Sequence, residues 1–490
     1  MSVRAGRTLS VASSAGVNDD RTTPPDEPAS SRRFEELVPA LVIVWSADEP
    51  GRGGEVALLD ESSRERVLGR GGEGGARRLS FFRQRPGSLV EQPALTAQGI
   101  SREQLVLRWT PRGLQVVRRG LPGMRVNGFL TEDAVVEPGD TIEVDRKLLL
   151  LYTERAHDMP TLRHGRVEMP FGERDEDGIL GESPAAWQLR DELAYARAAV
   201  GHVLIMGESG TGKELAARAV HARGRRATKP FVSHNAATFP SGLIDAELFG
   251  NARNYPNAGM PERAGLVGEA DGGVLFLDEI GELPPELHAR LLRVLDAGGE
   301  YRRLGEANAR RSDFRLVAAT NRDPAILKHD LLSRLRVRVT IPSLRDRRED
   351  VPLLARAIVL EAAALSSETA GRFVRSISGR PEANTTAALM DGLVRYPYST
   401  NTREIAVMLS AAMAQAKGDV LGTPKDMQVP AVRRAPAGDP SPALKNERTA
   451  DEVRAALDRE SGNVSRAAAA LGVSRQGLYR LLEKYGLKAK

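Results

Sequence analysis

The sequence predicts a multidomain chain: a β-sandwich, an α/β domain with a helical lid, and an all-α helix-turn-helix. Three observations predict it. Across residues 37–152, short β-type runs such as LVIVW, LVLRW, TIEV and LLLLY are separated by Gly, Pro and Asn turns, the spacing of a sandwich. From residue 179 onward, HVLIM, FVSHN, VLFLDE, FRLVAATN and RVRVTIP alternate with segments of helical period, which implies a parallel sheet flanked by helices. Residues 449–490 form one compact helical pattern.

At 490 residues the chain has room for about three domains of roughly 150 residues each. It contains no cysteine, which excludes disulfide staples, thiolate metal sites and a Cys nucleophile, and points to a reducing compartment. The longest apolar stretches, residues 40–45 and 148–152, are far shorter than the roughly 20 residues that span a bilayer. The N-terminus makes a poor secretory signal, so no membrane contact and a cytoplasmic location are expected. Net charge is only +5, but residues 461–490 hold six basic residues against one acidic, so the excess lies at the C-terminal end.

In chain order, residues 1–34 are rich in Ser, Asp, Pro and Arg without a hydrophobic period and read as a disordered lead-in. The sandwich covers 35–155, and a polar connector 156–178. The α/β core covers 179–345. Residues 346–420, Ala- and Leu-rich with no convincing strand, read as the helical lid. A Pro-, Ala- and Gly-containing stretch, 421–446, reads as a flexible linker, and 447–490 as the helix-turn-helix. Trp45 and Trp109 are expected in the sandwich core.

The strand HVLIM runs into Gly207-Glu208-Ser209-Gly210-Thr211-Gly212-Lys213 and then a helix. The N–H groups of such a loop curl around phosphate oxygens, the helix N-terminus adds its dipole, and Lys213 reaches the β and γ phosphates. Glu214 stands where the general pattern has a Ser or Thr that ligates Mg2+. Downstream, VLFLDE ends in Asp278 and Glu279. An Asp at a strand's carboxyl end can hold Mg2+ through water, and an adjacent Glu can orient and deprotonate the attacking water. Asn321 ends another strand, where a polar group can sense the γ-phosphate. The expected cofactors are ATP and Mg2+.

The blocks ILGESPA (179–185), GESGTGKE (207–214), ELFG (247–250), GGVLFLDEIGELPPELHARLLRVL (272–295), FRLVAATNRD (314–323) and LRDRREDVPLL (344–354) together carry a resemblance. Over residues 179–416 the chain resembles the AAA+ domain of bacterial enhancer-binding proteins, the ATP-driven activators of sigma-54 RNA polymerase. The resemblance makes Glu214 ordinary after the loop lysine. It implies that Asn235 is a switch holding Glu279 away from water until nucleotide is sensed, and that Arg403 is the lid's sensor arginine. It also implies that Arg334 is an arginine finger for the neighbouring subunit's γ-phosphate. Lys328 is the finger's weaker companion, because lysine lacks the planar fork. A finger acting in trans implies a homo-oligomer, from dimer to hexameric ring, in a bacterial cytoplasm.

Members of that family contact sigma-54 through a GAFTGA loop shortly after ELFG. The spacing is kept here, but the loop reads Asn254-Tyr255-Pro256-Asn257-Ala258-Gly259. Pro256 fixes φ and removes an N–H, which stiffens a loop that must change with nucleotide state. Either Tyr255 replaces the family's Phe, or the loop no longer remodels sigma-54.

In the sandwich, Gly69-Arg70, Ser101-Arg102, Val126-Asn127-Gly128 and Pro138-Gly139-Asp140 fall in turns. In order and spacing they resemble a forkhead-associated (FHA) domain, which implies a phosphothreonine protein as partner. Arg70, Ser101 and Arg102 would bind the phosphate through charge-assisted and hydroxyl hydrogen bonds. Gln104 replaces the family's His, and Gly120-Leu121-Pro122-Gly123 replaces its peptide-gripping Ser-x-Asn-Gly. A structural or dimerising sandwich is the other reading.

At the C-terminal end, Asn463 caps one helix, Leu471-Gly472-Val473 makes a tight turn, and Ser474 caps a second helix, the pattern of a Fis-type helix-turn-helix. Arg475, Gln476 and Tyr479 would face base edges in upstream activating or operator DNA, while Arg466, Arg480 and Lys484 meet phosphates. Two functions remain open. One is a DNA-bound, ATP-hydrolysing activator acting on sigma-54 polymerase under FHA control. The other is a DNA-bound regulator or repressor that cannot remodel sigma-54 and uses nucleotide for assembly only.

Overall fold

The structure is a computed structural model that describes residues 37–59, 65–72, 75–111, 113–240, 242–296 and 298–429, together with 454–457, 464, 467, 478, 482 and 485. The lead-in expected at 1–34 and most of the helix-turn-helix lie outside the described residues. The chain divides into two units, Met1–Arg433 and Arg434–Lys490.

Twelve strands build the sandwich: β1 (Leu37–Ser46), β2 (Val56–Leu58), β3 (Glu65–Leu68), β4 (Phe82–Arg85), β5 (Ser88–Glu91), β6 (Leu105–Thr110), β7 (Gly113–Arg118), β8 (Met124–Val126), β9 (Phe129–Thr131), β10 (Asp133–Val136), β11 (Thr141–Val144) and β12 (Leu148–Ala156). One sheet runs β5-β4-β2-β1-β12-β11-β8-β9 and the other β10-β7-β6-β3. Leu41, Ile43, Ile142 and Leu150 of the first pack against Leu68, Leu105, Leu107 and Val116 of the second. Trp109 packs against this core, as expected.

The β1 run is apolar on both faces, and the second face explains why. Ala40, Val42, Val44, Val56, Leu149 and Leu151 point away from the sandwich core and are at most 2% exposed. They share a second core with the lid residues Leu353, Leu389, Leu393 and Tyr398. Fully burying a side chain of this size contributes about 1.5–3 kcal/mol, so the sandwich and lid are fused rather than merely tethered. Trp45 belongs to this junction and not to the sandwich core, which corrects the expectation: it packs on the lid cluster, and its Nε1 donates to Thr385 Oγ1 at 3.1 Å.

A polar seam completes the junction. Arg155, at the end of β12 and 2% exposed, donates to Glu349 Oε2 at 2.8 Å, to Gln84 Oε1 at 3.0 Å and to the Glu182 carbonyl at 3.1 Å. Arg85 donates to Glu182 Oε1 at 2.6 Å. Thr141 donates to Asp391, which is also gripped by Arg395. The connector is held in the same way, because Asp175 is buried against Arg190 at 2.7 Å.

The α/β core runs α1 (Pro184–Ala198), β13 (Val203–Met206), α2 (Lys213–Ala222), β14 (Phe231–Asn235), α3 (Ile244–Phe249), α4 (Leu266–Glu269), β15 (Val274–Asp278), α5 (Pro285–Leu295), the short pair β16 (Glu300–Tyr301) and β17 (Arg310–Arg311), β18 (Arg315–Thr320), α6 (His329–Arg334) and β19 (Val337–Thr340). Its sheet is parallel throughout, in the order β14-β15-β18-β13-β19. Alternate strand residues serve opposite layers: Val203 and Ile205 meet α1 and α2, while Leu204 meets the layer of α3 to α6. Such two-sided burial is why these strands read as unbroken apolar runs.

The lid comprises α7 (Val351–Leu365), α8 (Ser367–Ala370), β20 (Val374–Ile377), β21 (Arg380–Ala383), α9 (Ala387–Arg395) and α10 (Thr402–Gln415). The β20–β21 hairpin corrects the expectation of a strand-free lid. Its strands are short and polar, and its turn uses Ser378 and Gly379, at φ 50° and 79°, rather than the readily recognised Asn-Gly. The supposed linker also begins too early. Leu421 is fully buried and bonded to Asn384 and Thr386, and Met427 packs on the lid core, so residues 421–429 belong to the lid.

Among the described residues of the second unit, Ala456, Leu457, Ala467, Leu478 and Leu482 form a small core, with Val464 against it. Among the described residues, no helix is long and apolar enough to cross a membrane. Glu349→Ala should strand Arg155 in the seam and cost about 3–5 kcal/mol. Calorimetry should show the sandwich and lid melting together at a lower temperature, whereas a sandwich that melts separately in the parent protein would refute the fused junction.

Candidate nucleotide site

The phosphate loop lies at the carboxyl end of β13, between β18 and β19. Gly207 N–H donates to the Thr320 carbonyl, and Thr211 Oγ1 to the Glu208 carbonyl. Lys213 opens α2 and is 7% exposed. Its Nζ lies 3.2 Å from the Gly207 carbonyl, 3.4 Å from that of Glu208 and 3.3 Å from Glu279 Oε1. Glu214 turns outward and pairs with Arg218.

Asp278 and Glu279 sit at the end of β15. Burial raises the Asp278 carboxyl above its ordinary range; Lys213 pulls it down, while the neighbouring Glu279 pushes it up. Glu279 has a left-handed backbone (φ 52°), and its Oε2 accepts the Asn321 N–H at 3.1 Å. Asn321 therefore reaches the acidic pair through its main chain. Asn235 pairs in register with Asp278, but its side chain accepts from Ala237 N–H instead of holding Glu279. In this structure the glutamate is restrained by Lys213 and Asn321, so the expected switch contact is not formed.

The lid closes on the loop from the other side. Arg403 Nη1 donates to Ser209 Oγ at 3.1 Å, and Thr402 Oγ1 donates to the Gly210 carbonyl at 2.6 Å. Gly210, at φ 74°, is so close to the lid that a Cβ would lie 2.0 Å from the Thr400 carbonyl. Glycine is therefore required there both by backbone and by space.

Two residues that sequence reasoning missed organise this contact. Asn401, fully buried, donates through Nδ2 to Glu208 Oε2 (3.1 Å) and the Ser209 carbonyl (3.0 Å), while its Oδ1 accepts the Leu344 N–H at 2.7 Å. Arg345 pairs with the other oxygen of Glu208. The available signal was an Asn before the helix of Thr402-Arg403-Glu404, with Glu404 reaching back to Ser399 and Thr400 N–H groups as in a capping box.

Arg334 ends α6 and is paired at 2.7 Å with Asp296 of its own chain; both are roughly half exposed, so the pair is worth less than about 1 kcal/mol and a stronger anion can displace it. Lys328, just before α6, is exposed.

The 254–259 loop is tied back on itself. Asn251 Nδ2 donates to the carbonyls of Ala252, Tyr255 and Pro261, and Asn254 Oδ1 accepts the Gly259 N–H. The Tyr255 ring covers Gly305, where a Cβ would come within 2.4 Å of it. Pro256, Asn257 and Ala258 are exposed.

At one end of the sandwich the structure brings together Arg70 and Ser101, with the Arg70 N–H donating to the Ser101 carbonyl at 3.0 Å, and exposed Arg102 follows. Gln104 is buried and stitches the loops, accepting from Ser101 N–H and donating to the Pro122 carbonyl. Arg466, Ser474, Arg475, Gln476, Tyr479, Arg480 and Lys484 lie outside the described residues.

A parallel sheet in this order, with a phosphate loop, an acidic pair and a lid reaching onto the loop, defines a P-loop domain of the AAA+ class. Residues 179–341 match the sigma-54 interaction domain, and residues 450–485 match the bacterial regulatory proteins of the Fis family. The transcriptional regulatory protein ZraR of Salmonella typhimurium is 32% identical over 390 residues, covering 76% of this chain and 85% of that protein. The regulatory protein AtoC of Escherichia coli is 36% identical over 327 residues, 63% of this chain and 68% of that protein. The DNA-binding transcriptional regulator NtrC of Azospirillum brasilense is 35% identical over 345 residues, 68% and 67%. The chain belongs to the family of sigma-54-dependent transcriptional regulators, with an AAA+ domain and a Fis-type helix-turn-helix.

Asn401→Ala should lose three hydrogen bonds while keeping a backbone at φ 51° that alanine resists. It should cost about 2–4 kcal/mol and weaken nucleotide binding. Asn401→Gly relieves the backbone and should cost less. Denaturation and nucleotide titration of both variants check this, and equal losses would show that the backbone conformation is immaterial.

Proposed function

We propose that this chain is a DNA-bound regulator whose AAA+ domain binds and hydrolyses ATP, and that the sandwich controls hydrolysis through the lid. The observation that carries this reading is the convergence of Lys213, Glu279, Asn321 N–H and Arg403 around the phosphate loop. Gly207 anchors the loop on Thr320, while Glu208, Ser209, Gly210, Thr211 and Gly212 wrap the phosphates with main-chain donors, and Lys213 exchanges Glu279 for phosphate oxygen. Glu279, once released, takes the proton of the attacking water. The half-buried carboxylate of Asp278 fits Mg2+, which is commonly held by one or two carboxylates plus phosphates; the ion would neutralise charge on the phosphates. Arg334, with Lys328 beside it, serves the neighbouring subunit's site in a homo-oligomer. The C-terminal residues Arg475, Gln476 and Tyr479 read bases, and Arg466, Arg480 and Lys484 hold phosphates.

Sigma-54 polymerase is the partner of the 254–259 loop in this reading. The pinning of that loop by Asn251 and Tyr255 favours a second reading, in which hydrolysis persists but no promoter opens. The sandwich end formed by Arg70, Ser101 and Arg102 supports an FHA-like phosphothreonine site, and Gln104 keeps its loops together without the family's His.

Glu279→Gln should lower ATP hydrolysis about 10²–10⁴-fold while nucleotide binding is retained. Purified sigma-54 polymerase, ATP and DNA carrying the binding site then separate the two readings. Opening by the parent and not by Glu279→Gln establishes the activator, whereas hydrolysis and DNA binding without opening establish the second reading. Loss of nucleotide binding in the parent would sink both.

A further inference from the structure

Where the sandwich meets the α/β core there is a cavity of about 480 Å³ that none of the nucleotide, loop or peptide residues uses, apart from Arg345 at its edge. Its walls come from three distant parts of the chain: the Pro138–Gly139 turn with the end of β12, the first turn of α1 with Gln188, and residues 345–349.

Four arginines line it, and two are committed elsewhere. Arg155 is held by Glu349 and Gln84, and Arg345 by Glu208 of the phosphate loop. Arg347 is not. It is 5% exposed, its Nε is sealed from solvent with no hydrogen-bond partner, and Asp350 and Asp346 attract it only from beyond ion-pair range. Asp350 is already engaged by Glu182 N–H, Ser183 N–H and Ser183 Oγ, and Asp346 accepts from Ser343 Oγ. A buried cation without a hydrogen-bonded counter-charge is unfavourable, and because Arg347 lines the cavity, an anion there would supply the counter-charge to its guanidinium even though Nε itself is sealed. Arg348, half-buried, lines the same space near Gly139. The N-terminus of α1, a helix of 15 residues, contributes Pro184 and Ala185 to the wall and adds its positive dipole end. Of the three acids on the wall, Glu349 is neutralised by Arg155, Asp346 is exposed and accepts from Ser343 Oγ, and Glu154 is exposed.

We propose that this cavity is an effector site for a small, multiply charged anion of the phosphate-ester class, bound by Arg347 and Arg348 at the joint between the sandwich and the AAA+ core. The site is separate from the phosphate loop and from the Arg70 end of the sandwich, and does not depend on either being functional. Its position gives it a physical route to the engine. An anion that pulls on residues 347 and 348 acts on the segment whose Arg345 and Leu344 hold Glu208 and Asn401, so its occupancy is linked to the lid's grip on the phosphate loop.

The test is calorimetric titration of pyrophosphate into the full chain carrying Lys213→Ala and Arg70→Ala, which disables the other two phosphate-binding candidates. Saturable one-site binding is expected, weakened about tenfold or more by Arg347→Gln, because one charge-assisted partner is lost. Gln188→Glu, at an exposed position on the cavity wall, places a like charge beside the anion and should weaken it in the same direction without disturbing the buried seam. Absence of saturable binding in the Lys213→Ala, Arg70→Ala chain overturns the proposal. So does binding that neither Arg347→Gln nor Gln188→Glu alters, since the anion would then be bound elsewhere.

Discussion

The paired strands β1 and β12 bear apolar side chains on both faces, and everything else in the described molecule depends on that. One face closes the sandwich; the other supplies half of the lid's core. Exposing the six apolar side chains of this face to water would cost on the order of 10 kcal/mol, comparable to a domain's whole stability, so the sandwich does not swing free while the lid stays folded. The buried Arg155 then fixes the register of the joint. Its guanidinium satisfies Glu349 and the Glu182 carbonyl together, next to the residues that begin α1. A displacement of the sandwich is therefore passed to the lid through packed side chains.

The lid end of that path touches the phosphate loop through Asn401, Thr402 and Arg403. These contacts do not depend on the loop's phosphate-binding N–H groups; they use its carbonyls and the Glu208 and Ser209 side chains. Lid position and loop shape are thus mechanically coupled. Lys213, buried between two loop carbonyls and Glu279, links the same loop to the acidic pair. Asp278, raised by burial, and Lys213 attract one another across this site, so any anion that draws Lys213 away changes the charge balance at both acids.

Two loops are held by single side-chain amides. Gln104 stitches the loops at one end of the sandwich with both ends of its carboxamide. In the 254–259 loop, Asn251 spends one amide group on three carbonyls and Tyr255 caps Gly305, which leaves Pro256 to Ala258 projecting from a closed turn. A turn so tied is a preformed surface rather than a loop that reshapes freely.

The phosphate loop, the acidic pair, the strand alternation and the helix-turn-helix were legible in the sequence, because each is a local pattern: glycine spacing, a strand period, a cap before an apolar run. The sandwich was legible too, down to Arg70 and Ser101 meeting in adjacent turns. The short β20–β21 hairpin was not, since polar strands and a Ser-Gly turn leave little periodic trace, and residues 421–429 looked like linker because their burial depends on Asn384 and Thr386. What only the tertiary structure decided is where the second face of β1 goes and what Asn401, Arg345 and Arg347 do. Trp45 meets Thr385 across 340 positions of chain. An apolar strand shows that it will be buried on both faces, but which surface covers it is set by the packing of distant segments, and no local pattern encodes that choice.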